Sequence, residues 1–431
     1  MTKINLPKKL TGGNFFYGWI IVIICAISGF FSGPGQTFGI SVFIDPLIEY
    51  LGMSRSTISS YYSAGTLLAG ILVVFISRQI DIIGHRKAMT LISIIFGGVC
   101  LFMSFITQNW MLFTGFFLMR LFGQSSMTIG PSTLIPHWFS EKRGKALSLM
   151  SLGQIMAAFL LPVLNIYLIK IYGWQNTWRF WGLTIWIIMV PLACFFIRNK
   201  PADIGLLPDG KQIASTTDNG ETKNNGSDAV LEIPSKTLIE ACKTFSFWVL
   251  LLCIFVPSMV STGITFHIVS VFASKGYSAQ VAATVLSIQA IVSIPSALLA
   301  GIVLDKIKIR NVINILFIFY SFSLIWLFLS SNLLQAIIYG VLAGIMMGFN
   351  QVIINITWPV YFGLNHLGSI RGIVQMALVI GSAFGPLPFG FAYNIFNGYQ
   401  EIIIATILIA IITAILTFFI APQPEKTKIL Q

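Results

Sequence analysis

The chain has 431 residues, 56% of them hydrophobic and only 9% charged, with a formal net charge of +12. A soluble domain carries roughly 25% charged residues, so this composition excludes a water-soluble globular protein. The apolar residues fall in long blocks, such as Gly18 to Phe31, Leu91 to Ile106 and Ile402 to Ile420. With their flanks these blocks reach the ~20 residues that a spanning helix needs.

In chain order, Lys3, Lys8 and Lys9 precede the first apolar run. That run outlasts the apolar region of a signal peptide (about 7–15 residues) and ends in no small-x-small site, so it is read as an uncleaved first helix over 16–43. Gly33-Pro34-Gly35 interrupts it just before Gln36, because proline removes a helix hydrogen bond and the glycines permit a bend. Further helices are predicted at 57–77, 88–106, 110–136, 144–170 and 177–198, and then at 245–273, 279–303, 311–330, 332–360, 369–395 and 400–420. Between the two sets lies the one long polar stretch, with "STTDNGETKNNGSD" at its centre. Having few apolar residues to bury, it reads as a mobile cytoplasmic linker over 199–243, with an amphipathic piece near 235–243. It separates an N-terminal six-helix bundle (1–198) from a C-terminal one (244–431). Within the second, Gly340, Gly344 and Gly348 recur every fourth residue, a spacing that lets one helix approach a neighbour closely. "GSAFGPLPFG", from Gly381 to Gly390, is expected to kink the eleventh helix.

With the N-terminus taken as cytoplasmic, 21 of the 26 Lys and Arg fall on cytoplasmic segments. Only Arg55, Lys170, Arg179 and Lys275 lie outside, and Arg120 is within a helix. This alternation is the positive-inside signature, so both termini are read as cytoplasmic and the positive charge as topological rather than as a nucleic-acid patch. The five cysteines are scattered without a CxxC pair or Cys/His cluster and read as small apolar fillers, with no metal site.

The two halves repeat. "SRQIDIIGHRK" follows helix 2 and "GIVLDKIKIR" follows helix 8, with Asp81 and Asp305 separated by 224 residues. "HWFSEKRGKA" follows helix 4 and "VYFGLNHLGSIRGI" follows helix 10, with Arg143 and Arg371 separated by 228. Two landmarks at nearly one offset argue for duplication, as in parallel-repeat transporters.

The loop after helix 2 resembles the major facilitator signature G-x-x-x-D-R-x-G-R-K: Asp81, Gly84, Arg86 and Lys87 match, while Ser77, Ile82 and His85 depart from it. "FYGWIIV", "LGMSRSTIS", "WFSEKRGKALSL", "GWQNTW", "NKPADIGLLPDG" and "HLGSIRGIVQ" resemble the monocarboxylate and oxalate/formate branch of that superfamily, over nearly the whole chain. The resemblance implies an all-α integral membrane fold of twelve helices in two pseudo-symmetric bundles, with helices 1, 4, 7 and 10 around a central cavity. Monocarboxylate carriers tend to place a Lys in helix 1 and an Asp with an Arg one turn later in helix 8. Here those positions fall near Phe38, Ser293 and Ala297, none charged.

Few ionisable groups remain inside the membrane. Arg120, in "FFLMRLFGQ", lies about ten residues into helix 4, roughly 15 Å deep at 1.5 Å per residue. A buried Arg costs at least about 2.5–3.5 kcal/mol, so it must face a cavity or a partner. Its fork suits a carboxylate. Two roles are open to it: an anion site, or a structural cation holding groups of helix 1. His267, in "ITFHIVSVF", is a candidate proton carrier or substrate contact, with a hydrogen-bonded structural group as the alternative. All 14 acidic residues fall in loops, at helix ends or in the tails, which favours anion exchange or facilitated passage over carboxylate-borne proton coupling. Neutral polar groups that can line a path are led by Gln36, Thr37, Gln124, Asn350, Asn355 and Trp358. Asp81 and Asp305, with Arg86, Arg310, Arg143 and Arg371, are read as gating residues at the cytoplasmic side.

The sequence thus points to a secondary active or facilitative carrier, antiporter or symporter, working by alternating access on a small organic anion. The alternative is an exporter of drugs or amphipathic metabolites. No enzyme is expected: clustered His, Asp or Cys are missing, and no Gly-x-x-x-x-Gly-Lys-Ser/Thr loop exists for nucleotide. The expected partners are the substrate and the lipid bilayer, with no cofactor, metal or nucleic acid, for a monomer in the plasma or inner membrane.

Overall fold

In the computed structural model the described residues are 16–210, 236–363 and 367–420, with the side chains of Asp81, Asp305 and 367–369 outside the description. Every regular element among them is helical. The first half holds α1 (Gly18–Phe31), α2 (Arg55–Ile83), α3 (His85–Met103), α4 (Asn109–Leu118), α5 (Met127–Trp138) and α6 (Arg143–Thr184). The second holds α7 (Phe245–Phe266), α8 (Ile268–Ala273), α9 (Ala279–Lys306), α10 (Ile309–Leu329), α11 (Leu333–Phe362), α12 (Leu367–Phe384), α13 (Pro386–Phe396) and α14 (Gln400–Thr417).

Ten segments are long and apolar enough to cross a bilayer. One of them, Arg143–Phe196, runs 54 residues and bends at Gly173, where φ is 78°, so it supplies two passes. A side chain at that left-handed position would be strained. α4 and α5, joined by a π-helical segment (Met119–Ser126), supply one more. The twelve predicted passes are therefore found among the described residues. Proline and glycine break two of them where expected or nearby: α1 stops at Phe31, and α12 gives way to α13 at Gly385-Pro386. The pass that begins with α7 is interrupted at His267, which no sequence signal marks.

Internal contacts divide the chain into two compact units: residues 1–52 with 64–217, and residues 53–63 with 218–431. The first turns of α2 belong with the second unit. In the first unit α1 packs along α6, and α3 packs on the later part of that long helix and its π-helical continuation. In the second unit α7 packs along α12 and α10 along α14. First against fifth and third against sixth is thus the pairing in each half. A single hydrogen bond makes the repeat explicit. Arg86 Nε donates to Cys194 O, and Arg310 Nη2 donates to Phe418 O; both donors and both acceptors are 224 residues apart.

The glycine stripe of α11 meets α9. A Cβ on Gly340, Gly344 or Gly348 would lie 3.1, 2.7 or 2.5 Å from the carbonyl oxygens of Val285, Gln289 and Ser293. Close backbone approach is what small residues at this spacing permit.

The start of the expected mobile linker is ordered. Pro201–Ile204 and Pro208–Gly210 form two 3-10 turns. Asp203 accepts from the backbone N–H groups of Asn199 and Lys200, and Asp209 from those of Ser140, Glu141 and Lys142, just before α6. Polarity there signals not a lack of structure but carboxylates that satisfy free backbone donors at a helix start. What burial Asp209 has pushes its carboxyl up, but those three N–H groups and the Lys142 charge hold it below the ordinary carboxylate range. Further on, Leu238–Cys242 is a short helix in the expected place, closed by a capping box between Thr237 and Glu240. Residues 211–235 lie outside the described residues.

Candidate functional site

The Gly33–Gly35 turn builds the first site. Gln36 is extended (φ −81°, ψ 157°) and a new helix starts at Thr37. The turn presses on the π-helical segment: a Cβ on Gly35 would lie 2.7 to 2.9 Å from Met119 O, Gly123 Cα and Gln124 N. This close approach brings Gln36, Thr37, Arg120 and Gln124 together. Arg120 is 1% exposed and its Nη1 donates to Thr37 Oγ1 at 3.4 Å. Gln36 is buried and donates to Ser32 Oγ, while Gln124 is half-buried. π-Helical turns are rare and concentrate at functional sites, because the wider turn re-aims side chains. Ser126 Oγ donates to Leu121 O, five residues back, and supports the widened turn. Beside this site, Asn165 is fully buried, donating to Gly39 O and accepting from Trp181 Nε1. Sequence reasoning missed Asn165, since one Asn in an apolar run carries no signature.

A groove of about 580 Å³ runs between α1 and α6 in the same unit. Trp19, Ile23, Phe30, Leu149, Leu152 and Met156 lie along it, and Lys145 Nζ stands 5.9 Å from the centroid of the Trp19 ring.

In the second unit the predicted residues separate. Asn350 and Trp358 of α11 line one enclosed cavity with Thr357, but at about 10 Å³ it is too small for an organic substrate. The Trp358 ring stacks on Phe362. Asn355 is exposed and donates to Gln351 O of its own helix. His267, by contrast, is the centre of a buried polar cluster. Its Nε2 lies 3.1 Å from Ser59 Oγ and 3.2 Å from Pro386 O, and its Nδ1 lies 3.3 Å from Tyr399 Oη, which also donates to Ser270 Oγ. Ser59 and Tyr399 are further residues that the sequence did not single out.

The Major Facilitator Superfamily model matches residues 19–386, with a second match over 250–431. The chain belongs to the Major Facilitator Superfamily. Its relatives include an uncharacterized MFS-type transporter YcxA of Bacillus subtilis (strain 168), 28% identical over 37% of this chain and 39% of that protein. The efflux pump vrtL of Penicillium aethiopicum is 23% identical over 44% of this chain and 36% of its own length. The MFS antiporter QDR3 of Candida albicans is 25% identical over 48% and 29%. The chain thus spans less than two fifths of the length of the relatives it matches. Among solved structures, a bacterial homologue of the human lysosomal transporter Spinster, inward-facing and unoccupied, superposes with a TM-score of 0.70. It is 14% identical, over 95% of this chain and 98% of that one. The same homologue in its occupied inward-facing form gives 0.68, at 16% identity over 94% and 96%. These structures establish the major facilitator fold.

Within that fold the predicted gating residues stand as follows. Arg86 and Arg310 each staple the third helix of a half to the end of the sixth, and the Arg86 backbone N–H also bonds Asn199 Oδ1. Cations at helix C-termini answer the exposed carbonyls and the negative end of the helix dipole. Arg371 Nη2 donates to Asn355 O at 3.3 Å, and Arg143 is the exposed first residue of α6. The side chains of Asp81 and Asp305 lie outside the described residues.

Proposed function

We propose that this major facilitator protein is a secondary carrier of small organic anions, mono- or dicarboxylates, with Arg120 as the cation that receives the carboxylate. It works by alternating access, as a monomer in the plasma or inner membrane with both termini cytoplasmic. One observation carries the reading: a permanent cation buried in a helical pass, beside the Gln36–Thr37 break and in a widened turn with Gln124. An Arg fork held in low dielectric binds a carboxylate more strongly than the same fork in water. The resemblance of the loop sequences to the oxalate/formate branch agrees with it. Gln36, Thr37 and Gln124 orient the ligand, and His267 acts at a separate point in the second unit.

A second reading, export of drugs or amphipathic metabolites, is favoured by the apolar groove between α1 and α6, roomy enough for a drug-sized tail. A relative described as an efflux pump points the same way.

Thermal unfolding of the purified protein against carboxylates, neutral analogues and cationic amphiphiles separates the two. A ligand at 100 times its Kd adds about 2.7 kcal/mol of stability. The anion reading expects one carboxylate to raise the melting temperature of the native protein and not of Arg120→Gln. Stabilisation by bulky amphiphiles alone, equal in both proteins, replaces it with the exporter reading.

A further inference from the structure

His267 closes α7 with a non-helical backbone (φ −98°, ψ 11°), and its ring is buried. Four elements meet on it. From α2, Ser59 approaches Nε2, Arg55 lies one turn earlier with its guanidinium 4.6 Å from the centroid of the Tyr393 ring, and Tyr62 packs on Phe266 at 4.4 Å between centroids. From α13 come Pro386 O and Tyr393, from α8 Ser270, and from the turn before α14 Tyr399. The start of α2 is further held by Asn394, which donates to Ser56 Oγ, and by Gly390, where a Cβ would lie 2.8 Å from Arg55 O.

Hydrogen-bond valence fixes the tautomer. Pro386 O only accepts, and Ser59 Oγ already donates to Arg55 O at 2.7 Å, so Nε2 carries the hydrogen for both. In the neutral ring Nδ1 is then the acceptor, and Tyr399 Oη faces it. The one Tyr399 hydrogen can go to the neutral Nδ1 or to Ser270 Oγ, 3.0 Å away; when a proton arrives, Nδ1–H donates to Tyr399 and the phenol hydrogen is given to Ser270 alone. Both protonation states are satisfied by the same atoms. What differs is charge: an imidazolium in this closed cluster is out of water and beside the Arg55 cation.

We infer that His267 is the carrier's proton-binding site, taking up its proton when residues 53–63 lift from α7, α13 and Tyr399. This rests on the secondary-carrier reading above and supplies it with a coupling ion. Once the contact opens, the ring meets water and titrates near the ordinary ~6.5 of histidine. Protons then bind the open form in preference to the closed one, so opening is favoured as pH falls through that value. An imidazole is the one side-chain type that ordinarily changes charge between about pH 7.5 and 5.5, and His267 is the one imidazole in the cluster. For a ring kept neutral while closed, the opening equilibrium rises about tenfold over that interval.

Hydrogen exchange of residues 53–63 in the full-length protein, corrected for the intrinsic pH dependence of exchange, reads this opening. The expected result is a roughly tenfold faster corrected exchange at pH 5.5 than at 7.5 in the native protein, and less than twofold in His267→Gln. A flat native profile overturns the proposal, as does an unchanged tenfold rise in His267→Gln. The native rise should centre near the ordinary ~6.5 of histidine; a rise centred well away from it counts against the proposal even if His267→Gln does not fold. No substrate enters this measurement. A missing carboxylate response in the thermal screen therefore fails the anion reading alone.

Discussion

A buried polar side chain in a helical bundle is held by what replaces water around it, and Asn165 makes the clearest case. Its amide serves Gly39 O and the Trp181 indole at once, so Asn165→Ala strands a buried donor and a buried acceptor. The expected loss is about 1–3 kcal/mol, read as a lower melting temperature of the purified protein, and Asn165→Asp should not restore it, since a carboxylate cannot donate to Gly39 O. The same logic sorts the predicted site residues. Asn350 and Trp358 are eight positions apart, 80° around a helix at 100° per residue, and share a cavity. Asn355 is 140° from Asn350 and faces elsewhere. Helical phase, a property of the sequence alone, carries that separation. The partners of His267 were not: Ser59, Pro386 and Tyr399 come from distant segments, and no local pattern announces them.

Among the elements, the α9–α11 contact depends on missing side chains. A Cβ at 2.5 Å from Ser293 O or 2.7 Å from Gln289 O cannot be accommodated without moving backbone, whereas 3.1 Å from Val285 O needs only a small shift. Gly348→Ala and Gly344→Ala are therefore expected to destabilise by about 1–3 kcal/mol despite alanine's better helix propensity, and Gly340→Ala to be near neutral. Thermal unfolding of the three variants checks that order. The four-residue spacing told that some helix approaches closely; which helix was decided by the fold. Helix breaks divide the same way. Proline and glycine mark those at 33–35 and 385–386, while the π-helical turn around Arg120 leaves no compositional trace, because it arises where the Gly35 turn presses on the backbone of 119–124.

For the whole molecule the governing quantity is the sidedness of charge. With 21 of 26 Lys and Arg on alternate connections, reporter fusions at the two termini should locate to the same, cytoplasmic side. Opposite locations would mean an odd number of passes and would undo the twelve-pass reading. Composition, block length and charge alternation determined by themselves that this is a multi-pass helical membrane protein, because the bilayer leaves helices of ~20 apolar residues as a main solution for a chain this poor in charge. The 224-residue offset was likewise readable, and it reappears as the paired arginine staples of Arg86 and Arg310. Only the tertiary structure decided that those arginines bind carbonyls of their own half, that residues 199–210 fold back on the start of α6, and that the first turns of α2 lie against His267. The physical reason is common to all three: a hydrogen bond between distant segments depends on where the chain has been brought together, and local sequence records only what each segment offers.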